Sequence, residues 1–193
     1  MQDDITQDKR DAIIKAAFKL FTERGFYGTP TSMISKEAGV ATGTLFRYFT
    51  TKEDLINSAY SVAKSHMAEA LKTGISDERT IEDQARRIWG NTIRWGMRNP
   101  EEFLFLEQFA SSPYISKLTE KEAMSNFGFL GEFFKKGIRE GIIKDARWEL
   151  LAEMIFDSNK AVIKNIVRRG LQGESDELIE ESFSILWRGI GKN

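Results

Sequence analysis

At 193 residues, with 41% apolar and 30% charged side chains, the chain is long enough for one large domain or a small domain joined to a medium one. It contains no cysteine, which excludes disulfides, thiolate nucleophiles and cysteine-based metal sites. The formal net charge is −1, and residues 1–60 carry eight Lys/Arg against eight Asp/Glu. Any affinity for nucleic acid must therefore come from where the cations sit, not from how many there are.

The N-terminal stretch MQDDITQDKRDAIIKAA is acidic where a signal peptide needs a basic region, and no run approaches the roughly 20 apolar residues of a spanning helix. A cytoplasmic protein with no membrane partner is expected. Only three prolines interrupt the chain, and no linker or repeat divides it.

Helical periodicity begins at about Asp8, where Ile13, Ile14, Ala17, Phe18 and Phe21 form one apolar stripe that ends at Arg24 before Gly25. Thr29 and Pro30 read as the cap and first residue of a short second helix ending near Ala38, followed by a turn at Gly39. A third helix covers about Thr42 to Phe49, with Leu45 and Phe49 facing inward. Thr51 and Asp54 form a capping box that starts a fourth helix reaching about Leu71. Thr80 with Asp83 starts a fifth, ending at Arg98, and Asn99-Pro100-Glu101-Glu102 starts a sixth. A seventh runs from Thr119 to just before Gly141, an eighth from Ala146 to Arg169, and a ninth from Ser175 to Ile190. No segment alternates at period two, so the fold class is all-α with about nine helices: a domain over residues 1–55 and a second over 56–193.

The segment 29–49, TPTSMISKEAGVATGTLFRYF, reads as a helix, a glycine turn and a second helix. In such a pair the first helix braces the second so that its N-terminal residues enter a major groove. The third helix presents Thr42, Thr44, Arg47 and Tyr48 outside its apolar face, hydroxyl and guanidinium groups suited to base edges and phosphates. No carboxylate lies between Glu37 and Glu53, so this stretch carries no charge that repels a polyanion.

Over about residues 9–60 the chain resembles the TetR family of transcriptional repressors. The resemblance rests on AAFKLFTERGF, T-x-T, Ile34, AGV, TGTLFRYF and TKEDL in this order. It makes Thr42, Thr44, Arg47 and Tyr48 the groove-facing set, and Thr29, Thr31 and Lys52 phosphate clamps. Three positions depart from the family pattern: Ala41 where serine is frequent, Phe46 where tyrosine is, and Pro30 in place of a second threonine. The first departure leaves Thr42 to cap the third helix.

Beyond residue 60 the resemblance fades. It implies that the fourth to seventh helices enclose an apolar cavity and that the last two build a four-helix dimer interface. Seven of the fourteen phenylalanines fall between Phe103 and Phe134. Trp89, Phe103, Glu107, Phe127, Leu130 and Phe134 are the candidate effector contacts, although each aromatic ring could equally fill the core. Leu151, Ile155, Val162, Ile166, Ile179, Phe183, Leu186 and Ile190 are the candidate dimer contacts, with packing inside one subunit as the alternative.

The expected partners are a palindromic double-stranded DNA operator, a second copy of the chain and a small, hydrophobic effector. No cofactor or metal is expected. An enzyme is not: the one histidine, His66, accompanies no nucleophile elbow, and its i,i+3 pairing with Glu69 lacks the second pair that a di-metal bundle needs. A helical scaffold would leave the acid-free Thr/Arg/Tyr face of the third helix without a purpose.

Overall fold

The computed structural model describes residues 2–192, with side chains from Gln7 to Lys192. These residues form ten α-helices: α1 (Gln2–Arg24), α2 (Thr31–Glu37), α3 (Thr42–Tyr48), α4 (Lys52–Lys72), α5 (Ile81–Arg98), α6 (Pro100–Phe109), α7 (Lys117–Ser125), α8 (Gly128–Arg139), α9 (Trp148–Arg169) and α10 (Ser175–Ile190). The tenth helix arises because the expected seventh breaks in two. Asn126 and Gly128 are poor helix formers, and Phe127 between them leaves helical geometry at φ −99°, ψ 8°.

The chain divides into two compact units. One comprises the chain up to Ser65 together with Pro100–Met124, and the other comprises His66–Asn99 together with the chain from Ser125 onward. The first unit therefore reaches past residue 55 along α4 and recruits α6 and α7 from much later in the sequence.

In the first unit α1 supplies the inner wall. Ile13, Ala17 and Phe21 are fully buried, as are Ile34 of α2, Leu45 of α3 and Leu55, Ile56 and Ala59 of α4. Phe105 of α6 packs edge-on against Phe18, with ring centroids 5.2 Å apart, and Phe109 reaches Phe21 at 6.0 Å. α4 starts as expected: the Asp54 N–H donates to Thr51 Oγ1 and the Thr51 N–H to Asp54 Oδ2, both at 3.0 Å.

In the second unit α5 packs against α9 and α10, and α8 against α9. The N–H of Asp83 donates to Thr80 Oγ1 at 3.0 Å, capping α5. Asn99, expected to cap α6, instead closes α5: its side-chain amide donates to the Trp95 carbonyl at 3.0 Å. Ile81, Phe134, Ile143 and Leu151 form a core cluster in which Gly137 leaves room for Ile143, since a Cβ at 137 would stand 2.5 Å from Ile143 Cδ1. The C-terminus is pinned to the α8–α9 turn by reciprocal bonds, Lys144 N–H to the Ile190 carbonyl and Lys192 N–H to the Ile142 carbonyl, both 2.8 Å.

Candidate functional site

The helix–turn–helix is built from short-range constraints. Gly39 adopts φ +66°, which a side chain would strain, and lets the Val40 N–H reach back to the Ser35 carbonyl at 2.9 Å. Ser35 is buried, and its hydroxyl lies 2.9 Å from that of Thr42, tying α2 to the first residue of α3. Thr42 is thus not the cap of α3. Ala41 holds that position, with no side-chain bond. On the outside, Lys19 of α1 bridges Glu37 of α2 at 2.6 Å, and the bond and charge of Glu37 raise the lysine above its ordinary pKa.

With Leu45 and Phe49 turned inward, α3 exposes Thr42, Gly43, Phe46 and Arg47 and half-exposes Thr44 and Tyr48. Its first turn carries no acidic residue. All four expected groove-facing residues therefore share one accessible surface, and Thr31 opens α2 half-exposed. Phe46 was missed. A phenyl ring left 46% exposed beside Arg47 is a contact surface for thymine methyl groups or sugars. The signal was legible, because placing Leu45 and Phe49 inside forces Phe46 outside. Gly43 is also informative: its φ is not positive and no heavy atom lies within 4 Å of a hypothetical Cβ, so nothing inside the chain requires glycine there.

Two expected clamps are corrected. Thr29 is fully buried, and its hydroxyl sits 2.8 Å from the Gly25 carbonyl and 3.0 Å from that of Leu20. It closes the α1–α2 turn, and α2 begins only at Thr31 with Pro30 in the cap position. Lys52 points inward as well. Its ammonium donates to the Phe26 carbonyl and lies 4.2 Å over the Phe26 ring, and burial lowers it from the ordinary lysine pKa. Both residues brace the reading surface from behind, and no motif distinguishes a lysine that faces a phosphate from one that faces a carbonyl.

The second unit contains an apolar cavity of about 30 Å³ enclosed by α5, α8, α9 and α10. Trp89, Leu130 and Phe134 line it, as expected. Phe103 and Glu107 do not, since α6 belongs to the other unit, and Phe127 precedes α8 away from the lining. The Trp89 indole N–H is anchored outside the cavity, 3.1 Å from Ser182 Oγ and 3.2 Å from the Ile179 carbonyl.

Four of the expected dimer residues, Ile155, Phe183, Leu186 and Ile190, also line this cavity. Leu151, Ile166 and Ile179 are buried within the subunit. They face inward because α9 and α10 turn their strongest apolar stripes toward α5 and α8, so a single chain already satisfies them. Of the eight, Val162 borders an open groove of about 240 Å³ between α9 and α10, together with Ala161, Leu178 and Ile185, and Ile166 forms its floor. Met154 (58%) and Ile185 (67%) are exposed on these two helices. This weaker second stripe, half polar, is invisible to a search for the most apolar face.

Among the described residues no cluster of three or more His, Asp or Glu could hold a metal, and no helix is long and apolar enough to cross a membrane.

An exposed, acid-free recognition helix braced by a second helix is a helix–turn–helix DNA-binding module. The model for bacterial regulatory proteins of the tetR family matches residues 13–59, and the tetracycline-repressor-like C-terminal domain model matches residues 60–191. Together they span most of the chain, which belongs to the TetR family of transcriptional regulators. The fatty acid metabolism regulator protein of Bacillus subtilis is 25% identical over 177 residues, 90% of each chain. A tetR family transcription regulator from Marinobacter aquaeolei superposes with a TM-score of 0.91 at 24% identity, covering all of both chains. One from Shewanella superposes with a TM-score of 0.86 at 28% identity, covering 96% of this chain and 99% of that one.

Proposed function

We propose that the chain is a homodimeric repressor that binds a palindromic operator and is released by a small apolar effector. The single observation that carries the DNA contact is the outward face of α3, where Thr42, Phe46 and Arg47 are exposed with no acid in the first turn. Two copies related by a two-fold axis would place their α3 helices in successive major grooves, with half-sites roughly 34–36 Å apart. The groove on α9 and α10 supports that pairing, since self-association would cover Met154 and Ile185. α4 begins in the reading unit and ends in the sensor unit, so it is the element through which effector binding would be felt.

The cavity lining supports an apolar effector. The name of the Bacillus relative makes acyl compounds the first class to try. At about 30 Å³ the cavity is the size of one water, so an effector must widen it, and the energy of widening separates the two states. A binding selection on random duplex DNA, at stated salt, tests the reading. A recovered palindrome supports it, and no enrichment by the folded protein overturns it.

A further inference from the structure

The inward stripe of α9 reads Leu151, Ile155, Asn159, Ile163, Ile166 at helical spacing. Four of these five are aliphatic, and the one in the middle is an amide. Asn159 is only 3% exposed, so the interruption lies inside the second unit. Its Nδ2 donates to the Ile155 carbonyl at 3.2 Å. That carbonyl can only accept, so the amide cannot be turned end for end, and Oδ1 is the outer atom. Oδ1 has no hydrogen-bond partner. The bond to Ile155 folds the amide back over the preceding turn of α9, and the Ile155 side chain walls the apolar cavity. Thr92, the buried polar residue of α5 one turn past the cavity-lining Ile88, cannot serve Oδ1, because its hydroxyl proton is given to the Ile88 carbonyl at 2.8 Å.

A buried acceptor without a donor is costly, and a leucine at 159 would remove the cost while completing the stripe. Retaining the amide makes sense if something else donates to it. Resting on the reading of this cavity as the effector site, we propose that Asn159 is the polar contact of the effector. The effector then has an apolar body and an O–H or N–H donor. An ionised carboxylate, which offers only lone pairs, would face Oδ1 repulsively. Alcohols and amides of the same chain length therefore fit where the free fatty acid anion and the alkyl ether do not.

The test compares decan-1-ol with decyl methyl ether, which keeps the oxygen and loses the donor, and with decanoate. Binding to the full chain is measured by calorimetry, alongside the melting temperature of wild type and Asn159→Leu. The alcohol should bind wild type about tenfold more tightly than the ether, a factor worth roughly 1.4 kcal/mol. In Asn159→Leu that ratio should fall to about one with no loss of melting temperature. Equal binding of alcohol and ether to wild type overturns the proposal, as does binding of neither. So does a preference that survives in Asn159→Leu, or a marked fall in its melting temperature, which would make the amide structural. The regulator reading is tested separately by operator selection with the same wild-type protein. A recovered palindrome with no alcohol preference removes this inference alone.

Discussion

The ring of Tyr114, in the loop between α6 and α7, stacks on that of Phe26 between α1 and α2, with centroids 4.1 Å apart and planes 14° from parallel. The two loops are 88 positions apart in sequence yet share one aromatic cluster, into which Tyr27 enters edge-on to both rings. Asn57 of α4 fastens the same loop from the other side: its Nδ2 donates to the Tyr114 carbonyl at 2.9 Å, and its Oδ1 accepts the Ser116 N–H at 2.9 Å. The loop is thereby tied to the two segments that brace α2 and α3. A double-mutant cycle of Phe26→Leu and Tyr114→Leu should return a coupling of about 0.5–1.5 kcal/mol in urea unfolding, the range for such ring pairs. Additive losses would mean that the stack contributes only its buried area.

Arg47 and Lys52 should behave oppositely, because one cation is presented outward and the other is spent on a carbonyl. Arg47→Ala should weaken operator binding severely. Where the guanidinium meets a phosphate, it should also reduce the slope of log K against log salt by about one. Lys52→Met should leave that slope unchanged and lower the melting temperature instead. A slope change in Lys52→Met would return that lysine to the phosphate backbone.

Gly43 makes a similar separation between stability and function. Alanine there should stabilise the isolated protein by roughly 0.5–1 kcal/mol, since glycine inside a helix is unfavourable and the Cβ meets nothing within 4 Å. Operator affinity should nonetheless fall, because the Cβ would occupy the space the DNA surface needs. Thermal unfolding and a fluorescence-anisotropy titration on the same preparation decide it.

Tyr60 of α4 is buried, and that burial, with the charge of Glu120 adding to it, pushes its phenol up to about 12. The unfolded chain ionises near 10, so the native state favours the neutral form in a window where the unfolded state does not. Stability from this residue is intact below pH 10 and is lost as the pH climbs from 10 toward 12. Tyr60→Phe should show a shallower alkaline fall in its urea midpoint. Parallel curves for the two proteins would assign the fall to other groups.

Pairing of α9 and α10 with their symmetry mates predicts a contrast between neighbouring positions. Ile185→Glu, on the exposed face, should yield folded monomers by sedimentation and weaken operator binding. Ile179→Glu, at a site 1% exposed, should compromise folding itself. Dimers that survive both Ile185→Glu and Met154→Glu would move the interface elsewhere.

The sequence made the reading head legible almost to the residue, because helix length, glycine turns and capping are local. The Thr51–Asp54 box and the Gly39 turn need only their near neighbours. Long-range geometry was hidden. Nothing in T-x-T distinguishes a hydroxyl facing DNA from one satisfying the carbonyls of Leu20 and Gly25. The sensor was harder, since an apolar stripe states that a face is buried but not against what. Ile155, Phe183 and Leu186 turned toward α5 and α8 for that reason, while the moderately apolar face carrying Met154 and Ile185 stayed outside. Asn159 was readable as an interruption of a stripe, but only burial shows that the interruption lies in the interior.

The even balance of charge in the first sixty residues has a consequence for how the protein finds its site. A chromosome offers on the order of 10⁶ or more decoy positions, and a strongly cationic head would spend most of its time on them. Here eight cations are matched by eight anions, Glu37 holds Lys19, and Lys52 is turned inward, so few positive charges remain to hold arbitrary DNA. Residence on random sequence should be brief and the free pool large. Occupancy of the operator then depends on base contacts from α3 more than on general attraction, and a few copies of the protein per cell can respond quickly when the effector arrives.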